Sequence, residues 1–381
     1  MKKFLAITAS AVLAFSTLAF AACGEKKEES VANLTYTEVD LSSAEKKSAF
    51  VNEVANNVNF DTMFGDTTAE NYFFGLAADM KYNIDLSAGV KDFPVSETET
   101  KDLSASAKFD FDGSAKVKVS ADGSLLGESK TAVKLNATLP EELFAMSEMP
   151  EDVEAMVKAL IDNFDYSLTE YIDNNYLYAQ LPQAFMDMLP EEAESTFPES
   201  GKIKIPLQFD GIDNPPIITG DEDLALFPFA APVPDFSLDI QTSLIIGQVI
   251  ELLDHYNVKI AVSTENGYAL RLTADKDSVM SILGDVTNDP QTVAMINQLA
   301  TFNTCALTAY LAVDKDGMFK EVSLRVDLDA TVKIAANLIE VGSPEINGAL
   351  KVNVDLSFKS FNGNITLPSD LDSYVDISNM M

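Results

Sequence analysis

Few side chains of this chain have the chemistry needed for acid–base or nucleophilic catalysis, and their spacing keeps them apart. The single histidine, His255, follows Asp254 near a predicted helix end. Neighbouring helical residues point in different directions, so the two do not form a catalytic pair. Ser43-x-x-Lys46 matches the first motif of penicillin-recognising enzymes, but no Lys-Thr-Gly follows it, and no Gly-x-Ser-x-Gly motif occurs. The sequence therefore predicts no catalytic residue and no enzymatic activity.

Acidic motifs in the chain do not form a complete metal site. The segments 110–113 (Asp-Phe-Asp-Gly) and 314–317 (Asp-Lys-Asp-Gly) share residues with calcium loops, but both lack the remaining carboxylates at the required spacing. We interpret both as hairpin turns, because Asp and Gly supply the unusual dihedrals of turns. Cys305 alternates with apolar residues, which predicts a buried thiol. One His excludes zinc sites built on two or three imidazoles, two Cys exclude iron–sulfur clusters, and we predict neither metal nor cofactor.

The charge balance excludes one large class of partners. The chain has 381 residues, with 26 Lys and Arg against 60 Asp and Glu, which gives a net charge of −34 at pH 7. Non-specific affinity for nucleic acid comes from basic side chains, so we predict no nucleic-acid partner. A hydrophobic content of 47% with 23% charged residues is typical of a globular protein.

The first residues have the pattern of a secretory signal. Met1-Lys2-Lys3 is basic, residues 4–22 are apolar or small, and a charged run follows Cys23. The apolar run is about long enough to span a bilayer, so a retained signal anchor is one alternative. Cleavage just before an incidental Cys23 is another.

The sequence Phe20-Ala21-Ala22-Cys23 resembles a bacterial lipobox, with Phe20 where Leu is usual. The resemblance implies that residues 1–22 are a lipoprotein signal peptide and that the Cys23 thiol carries a diacylglyceryl group. Two or three acyl chains on one residue give stable anchoring. We therefore expect the membrane to be a partner through acylated Cys23, and the protein to lie at the extracytoplasmic face of a bacterial membrane.

Residues 23–43 are predicted to be the lipidated Cys and a flexible tether, and residues 44–381 a single domain. Ser43 is a candidate cap for a helix over 44–64. Strict alternation of apolar and polar residues then predicts strands over 74–86 and on both sides of a turn at Asp112-Gly113-Ser114. The other predicted strands are 133–139, 166–181 as a hairpin, 203–209, 258–264, 268–274, 305–313, 322–334 and 350–358. The other predicted helices are 140–161, 183–197, 238–256, 276–285 and 290–301.

Hairpins dominate and helices come in blocks, which indicates an α+β fold. A sheet this large with one apolar face must curl, close or be covered. We predict a large curved antiparallel sheet, an unclosed half-barrel with helices packed in and over its concave face. An apolar trough would remain between sheet and helices. Its predicted lining is Phe74, Leu76, Met80, Phe109, Phe111, Leu135, Met156 and Leu324, and the predicted mouth loop contains Leu226, Phe227 and Phe229.

This order of elements resembles the bacterial lipoprotein-carrier superfamily (LolA/LppX-like), and in particular lipoproteins of low-GC Gram-positive bacteria. The resemblance rests on the lipobox Cys23, the long amino-terminal meander, the late hairpin at 314–317 and the closing sequence 365–369 (Ile-Thr-Leu-Pro-Ser). It covers most of residues 70–375. It implies an unclosed half-barrel with a cavity for acyl chains or another apolar ligand.

Our leading hypothesis is a non-catalytic, lipid-anchored protein that holds or carries a lipid or other hydrophobic ligand in the trough. The alternative is a structural or protein-interaction surface lipoprotein whose core is filled by its own side chains. A solute-binding receptor ranks third, because its usual two α/β lobes disagree with the predicted hairpins. The sequence leaves the ligand, the protein partner and the oligomeric state open.

Overall fold

A computed structural model describes residues 31–58, 63, 73–94, 99–120, 125–142, 158, 164–173, 176–186, 197–206, 242–287, 290–335 and 345–377. Its strands are β1 (Thr37–Glu38), β2 (Phe73–Pro94), β3 (Thr100–Ser120), β4 (Leu125–Thr138), β5 (Phe164–Ile172), β6 (Tyr176–Gln180), β7 (Lys202–Pro206), β8 (Lys259–Ser263), β9 (Tyr268–Ala274), β10 (Ala300–Val313), β11 (Phe319–Ile334), β12 (Glu345–Ser360) and β13 (Val375–Asp376). Its helices are α1 (Ala44–Asn57), α2 (Gln183–Met186), α3 (Thr242–His255), α4 (Lys276–Thr287) and α5 (Pro290–Leu299).

All thirteen described strands belong to one unclosed sheet, in the order β1-β8-β9-β10-β11-β12-β2-β3-β4-β5-β6-β7-β13. Every neighbouring pair is antiparallel except β7 and β13, which are parallel. The longest strands, β2 and β3, lie in the middle and pair over almost their whole length. The predicted α+β class, with one large curved and unclosed sheet plus helices, is confirmed.

Alternation along the strands gives the sheet one apolar and one polar face. We define the apolar face as the side of the sheet that carries Tyr82 and Ile84 of β2. It includes the residues of the other strands that point to the same side as these two. The opposite, polar face carries cross-strand ion pairs, for example Lys116 with Glu128 at 3.2 Å between Nζ and Oε1. Other pairs on it are Lys81–Asp112, Lys134–Asp165 and Arg325–Asp355. These last three pairs are exposed and each contributes little to stability, so burial on the apolar face holds the sheet together.

The turn predicted at Asp112-Gly113-Ser114 is wrong, because β3 runs straight through these residues. Gly113 pairs with Met80 on β2 and with Thr131 on β4. A Cβ at Gly113 would lie 2.7 Å from the ring of Phe111, so the missing side chain leaves room for that ring. A three-residue loop and a continuous strand would both keep the alternation of apolar and polar residues along the chain. Only the pairing of residues 112–114 with β2 and β4 shows that the strand is continuous.

Two helices cover the apolar face at the β8–β10 end. Phe50 and Val54 of α1 and Ile246 and Ile250 of α3 are buried. They form one cluster with residues of the sheet, which we call the helix-covered core; its sheet residues are Ile260, Tyr268 and Val313. Ser43 caps α1 as predicted, since its Oγ accepts a hydrogen bond from the Lys46 amide at 3.3 Å.

The remaining helices and the far end of the sheet have their own cover. Helices α4 and α5 contact β9, β10 and β11, and Lys276 Nζ of α4 lies 5.1 Å from the centre of the Phe302 ring. At the β5–β7 end, a second cluster contains the buried residues Tyr166, Leu168, Ala179, Leu181, Ile203 and Ile377, with Met186 of α2 packed against them. We call it the distal core. Helical or loop cover is therefore described at both ends of the apolar face.

The amino-terminal segment packs on the polar face, whereas we predicted a flexible tether as far as residue 43. Val31 is fully buried against Ala269, Tyr310 and Ala312. Its backbone amide donates to Oε2 of the buried Glu321 at 3.3 Å, and Oε1 of Glu321 accepts from Ser357 Oγ at 3.2 Å. The Arg271 guanidinium lies 4.7 Å from the centre of the Tyr36 ring. Residues 31–38 are thus attached to the sheet.

Most other predicted elements are confirmed with shifted ends. The hairpin at 265–267 has Asn266 and Gly267 at positive φ, and Asp314 accepts the amides of Asp316 and Met318 in the β10–β11 turn. Of the predicted helix 140–161, the structure describes 140–142 and 158; residues 141, 142 and 158 are helical and residue 140 is not. The predicted helix 183–197 is described only as α2 and the non-helical residue 197.

Candidate functional site

The candidate site is the middle of the apolar face, where neighbouring strands align apolar residues in rows. We call these rows the central apolar face. In one row, Val326, Val354, Tyr82, Phe111, Val133 and Tyr166 are paired across six strands. The flanking rows are Leu324, Leu356, Met80, Gly113, Thr131 and Leu168, and Leu328, Val352, Ile84, Phe109, Leu135 and Phe164. A shorter fourth row contains Ala330, Leu350, Leu86, Ala107 and Ala137. With strands about 4.8 Å apart, each row across six strands is about 24 Å long.

Burial is uneven within the central apolar face. Met80 and Phe111 are buried, at 6% and 8% exposure, and they pack with Tyr82, Phe109, Val133 and Leu356. Tyr82 and Phe111 make an edge-on contact with 5.2 Å between ring centres. By contrast, Leu86 is 44% exposed, and Ile84, Phe109 and Leu135 are half-buried. The face is therefore packed at one point and accessible beside it.

The structure brings together five of the predicted lining residues. Met80, Phe109 and Phe111 are in one cluster. Leu135 pairs with Phe109, and Leu324 pairs with Leu356, a member of that cluster. These five residues come from β2, β3, β4 and β11, as the alternation predicts.

The other predicted site residues are only partly tested. Leu76 is half-buried and pairs with Val117, nearer the end of β2. The backbone of Phe74 pairs with Val119 on the same strands, but its side chain is outside the description. Cys23, Met156 and the mouth-loop residues Leu226, Phe227 and Phe229 lie outside the described residues.

A polar group inside the apolar face was not predicted. Glu170 of β5 has no exposed surface, pairs with Ser129, and accepts a hydrogen bond from Ser129 Oγ at 2.9 Å. Thr131 and Tyr166 are at 5% and 8% exposure, and within the part of the chain that the structure describes neither hydroxyl has a hydrogen-bond partner. We call these four residues the buried polar group. Its signal in the sequence is a Glu in an apolar position of the alternating series Tyr166, Leu168, Glu170, Ile172.

Burial and the nearby Glu170 carboxylate raise the pKa of Tyr166 far above its ordinary value. The tyrosine is therefore a neutral hydroxyl at physiological pH, which both donates and accepts hydrogen bonds. Burial likewise raises the pKa of Tyr82 in the central apolar face. Both hydroxyls are thus uncharged groups within an apolar surface.

The residues weighed for catalysis do not combine in the structure. His255 is exposed and its Nε2 lies 3.9 Å from Oδ2 of Asp285, while Asp254 pairs with Lys47 at 2.5 Å. Cys305 is on the apolar face opposite Leu328, and burial raises the pKa of its thiol. Within the described ranges, no three His, Cys, Asp or Glu side chains are grouped as a metal site.

Two shallow depressions of about 350 Å³ each are lined mainly by polar residues. One contains Asp85, Ser106, Lys108, Asn136 and Thr138, and the other contains Glu38, Lys259, Arg271, Thr273 and Tyr310. Most of these residues belong to the polar face, away from the central apolar face. Neither depression has the apolar lining that a site for acyl chains requires.

No protein-family model matches the chain, and no curated protein matches it. In the portion of the chain that the structure describes, no helix is both long enough and apolar enough to cross a membrane.

Proposed function

We propose that the protein is a non-catalytic, lipid-anchored extracytoplasmic lipoprotein that holds or carries a lipid or another hydrophobic ligand on its central apolar face. The observation that carries the proposal is the accessible apolar surface between two covered ends of the sheet. Leu86 at 44% exposure lies in a face whose paired residues are nearly all apolar. A contiguous exposed apolar surface on a soluble fold commonly marks a binding site.

The arrangement supports a role for the sheet as the floor of the site and for the helices as its walls. Helices α1 and α3 pack over β8–β10, and the distal core closes the β5–β7 end. An acyl chain on the rows between them would contact Ile84, Phe109 and Leu135. No charged side chain is paired into the rows of the central apolar face, so binding of an apolar ligand there would not bury an ion.

The anchor part of the proposal rests on the sequence around Cys23 and on the attachment of Val31. Eight peptide units separate Cys23 from Val31, which limits their separation to about 28 Å. The hydrogen bond from the Val31 amide to Glu321 attaches the other end of this segment to the sheet. Anchoring through Cys23 would therefore hold the β9–β11 region of the sheet near the membrane.

A second candidate function is an interaction or structural lipoprotein with a filled core. The burial of Met80 and Phe111 favours it, because these side chains occupy part of the predicted trough themselves. In that case the central apolar face would be packed rather than available, and the polar face would be the surface presented to a partner.

A matched pair of substitutions separates the two candidates. Leu86 is on the apolar face, and Leu126 pairs with Lys118 on the polar face at a similar exposure of 37%. Each is changed to Asp, and uptake of a fluorescent fatty acid is titrated. We expect Leu86→Asp to weaken uptake at least tenfold and Leu126→Asp to leave it unchanged. Equal uptake by all three proteins, or no uptake by any, would contradict ligand binding on this face.

The anchor is tested separately by Cys23→Ala, followed by fractionation and by the mass of the amino-terminal peptide. We expect the wild type in the membrane fraction with a diacylglyceryl mass on Cys23, and the variant without that mass. An unmodified Cys23 in the wild type would contradict the anchor and leave the ligand hypothesis standing.

A further inference from the structure

The buried polar group lies at the edge of the central apolar face and is the least expected feature of the fold. Thr131 and Tyr166 are in the rows that contain Met80 and Phe111, on the same side of the sheet. A hydroxyl without a partner in an apolar interior is unfavourable, and such groups in native proteins call for an explanation. Here two occur together, beside the fully buried Glu170.

The chemistry of these groups selects the partner that would satisfy them. Each hydroxyl of Thr131 and Tyr166 has a proton to donate and lone pairs to accept. An ammonium group only donates, and a phosphate at neutral pH mainly accepts. A phosphate would also meet Glu170 with no basic side chain paired into these rows, since Lys130 and Lys134 are on the polar face. An alcohol both donates and accepts, and it is neutral.

We propose that the hydroxyls of Thr131 and Tyr166, beside Glu170 and Ser129, form a subsite for the hydroxyl headgroup of a neutral acyl amphiphile, of the monoacylglycerol class. The acyl chain would lie on the central apolar face. This inference rests on the proposed function and adds the chemical class of the ligand to it.

The subsite is enclosed by apolar side chains. Of the two residues paired with Thr131, Gly113 leaves its space to the Phe111 ring and Leu168 is buried. Tyr166 belongs to the distal core, against which Val133 and Met186 of the short helix α2 pack. Methionine is unbranched and adapts to changes in its surroundings. We therefore expect a headgroup to enter by displacing adaptable side chains.

The test compares two ligands that differ only in the headgroup. The full chain is purified in a non-ionic detergent, freed of bound lipid, and titrated with a monoacylglycerol and with the methyl ester of the same fatty acid. Binding is measured by native mass spectrometry after release from the micelle. The variants are Thr131→Val and Tyr166→Phe. The control is Tyr171→Phe, on the same strand as Tyr166 but on the polar face, where Tyr171 pairs with Glu128.

We expect the wild type to bind the monoacylglycerol about tenfold or more tightly than the ester. Each variant should lower monoacylglycerol affinity about three- to tenfold, the effect of one hydrogen bond. Affinity for the ester should not change, and Tyr171→Phe should leave both affinities unchanged. The melting temperature of each ligand-free variant should be equal to or above that of the wild type, because no protein hydrogen bond is lost.

Other results would overturn the inference. Ester binding with no preference for the monoacylglycerol, or variants that weaken both ligands equally, would reject the subsite and leave the proposed function intact. Binding of neither ligand by the wild type would reject both. Tighter binding of a long-chain amine would replace the alcohol by an ammonium. A melting temperature lowered by several degrees in both variants would show that the hydroxyls are bonded within the folded protein.

Discussion

Replacing Leu86 by alanine should destabilise the protein much less than replacing Ile250 by alanine. Both residues belong to the apolar side of the fold and both lose three carbon atoms. Leu86 lies on the central apolar face at 44% exposure, whereas Ile250 lies in the helix-covered core at 4%. The difference between the two variants in the free energy of unfolding therefore shows whether the central apolar face is an exposed surface or a packed core.

The magnitude follows from the burial of each side chain. Three buried methylene equivalents contribute about 2.4 kcal/mol at about 0.8 kcal/mol each. Because nearly half of Leu86 is exposed, its truncation should cost about 1.3 kcal/mol and create no closed cavity. Ile250 should lose the full transfer contribution and a cavity contribution, about 3–4 kcal/mol in total.

The free energies are measured by urea unfolding, followed by far-ultraviolet circular dichroism and tyrosine fluorescence, since the chain has no Trp. Leu126→Ala on the polar face is the matched control, and we expect it to cost about as much as Leu86→Ala. A loss of about 3 kcal/mol or more for Leu86→Ala, equal to that for Ile250→Ala, would refute the reasoning. The central face would then be a packed core, as the second candidate function requires.

Three further predictions concern the elements that position the site. Ser43→Ala removes the cap of α1 and should cost about 1 kcal/mol in urea unfolding, while Ser43→Gly should cost only a few tenths. Gly267→Ala should lower the free energy of unfolding by about 2 kcal/mol or more, because φ is +127° and a Cβ would lie 2.2 Å from the Val313 carbonyl oxygen. Gly89→Ala is the control: a Cβ there would lie 3.9 Å from its nearest atoms, so the free energy of unfolding should change by less than about 0.5 kcal/mol. The backbone amide and hydroxyl of Ser278 hold the pKa of Asp275 below its usual 3.8, so its stabilising effect is present above that pH and is lost as the pH falls through the lower, folded-state pKa. Below pH 3.8 the melting temperature of the wild type should therefore fall more steeply than that of Asp275→Asn, and parallel curves would contradict the assignment.

The face of each strand was predictable from the sequence, but the order of the strands was not. Alternation alone places Met80, Phe109 and Leu135 on one side, because side chains alternate across a strand. Nothing local indicates that β12 lies beside β2, where Leu350 pairs with Leu86. Such pairing is decided by contacts between segments far apart in the chain.

The turn predicted at residues 112–114 and the flexible tether predicted as far as residue 43 differ from the structure for physical reasons. Gly113 follows Asp112 as in a turn, yet β2 offers a partner along the whole of β3 and the strand continues. Val31 lies in a polar, non-periodic segment, and its burial depends on Ala312 and Glu321, close to three hundred residues later in the chain. The position of Glu170 within an apolar series could be seen in the sequence, but its pairing with Ser129 could not.

The central claim is that an apolar ligand occupies the central apolar face, and the most direct measurement is to look for that ligand. The full chain is purified from bacterial membranes in mild detergent, weighed by native mass spectrometry, and extracted with organic solvent. We predict acyl-chain masses at close to one per protein beyond the anchor, retained in Leu126→Asp and lost in Leu86→Asp. A clean mass with no such ligand, and no uptake when lipid is added, would contradict the account.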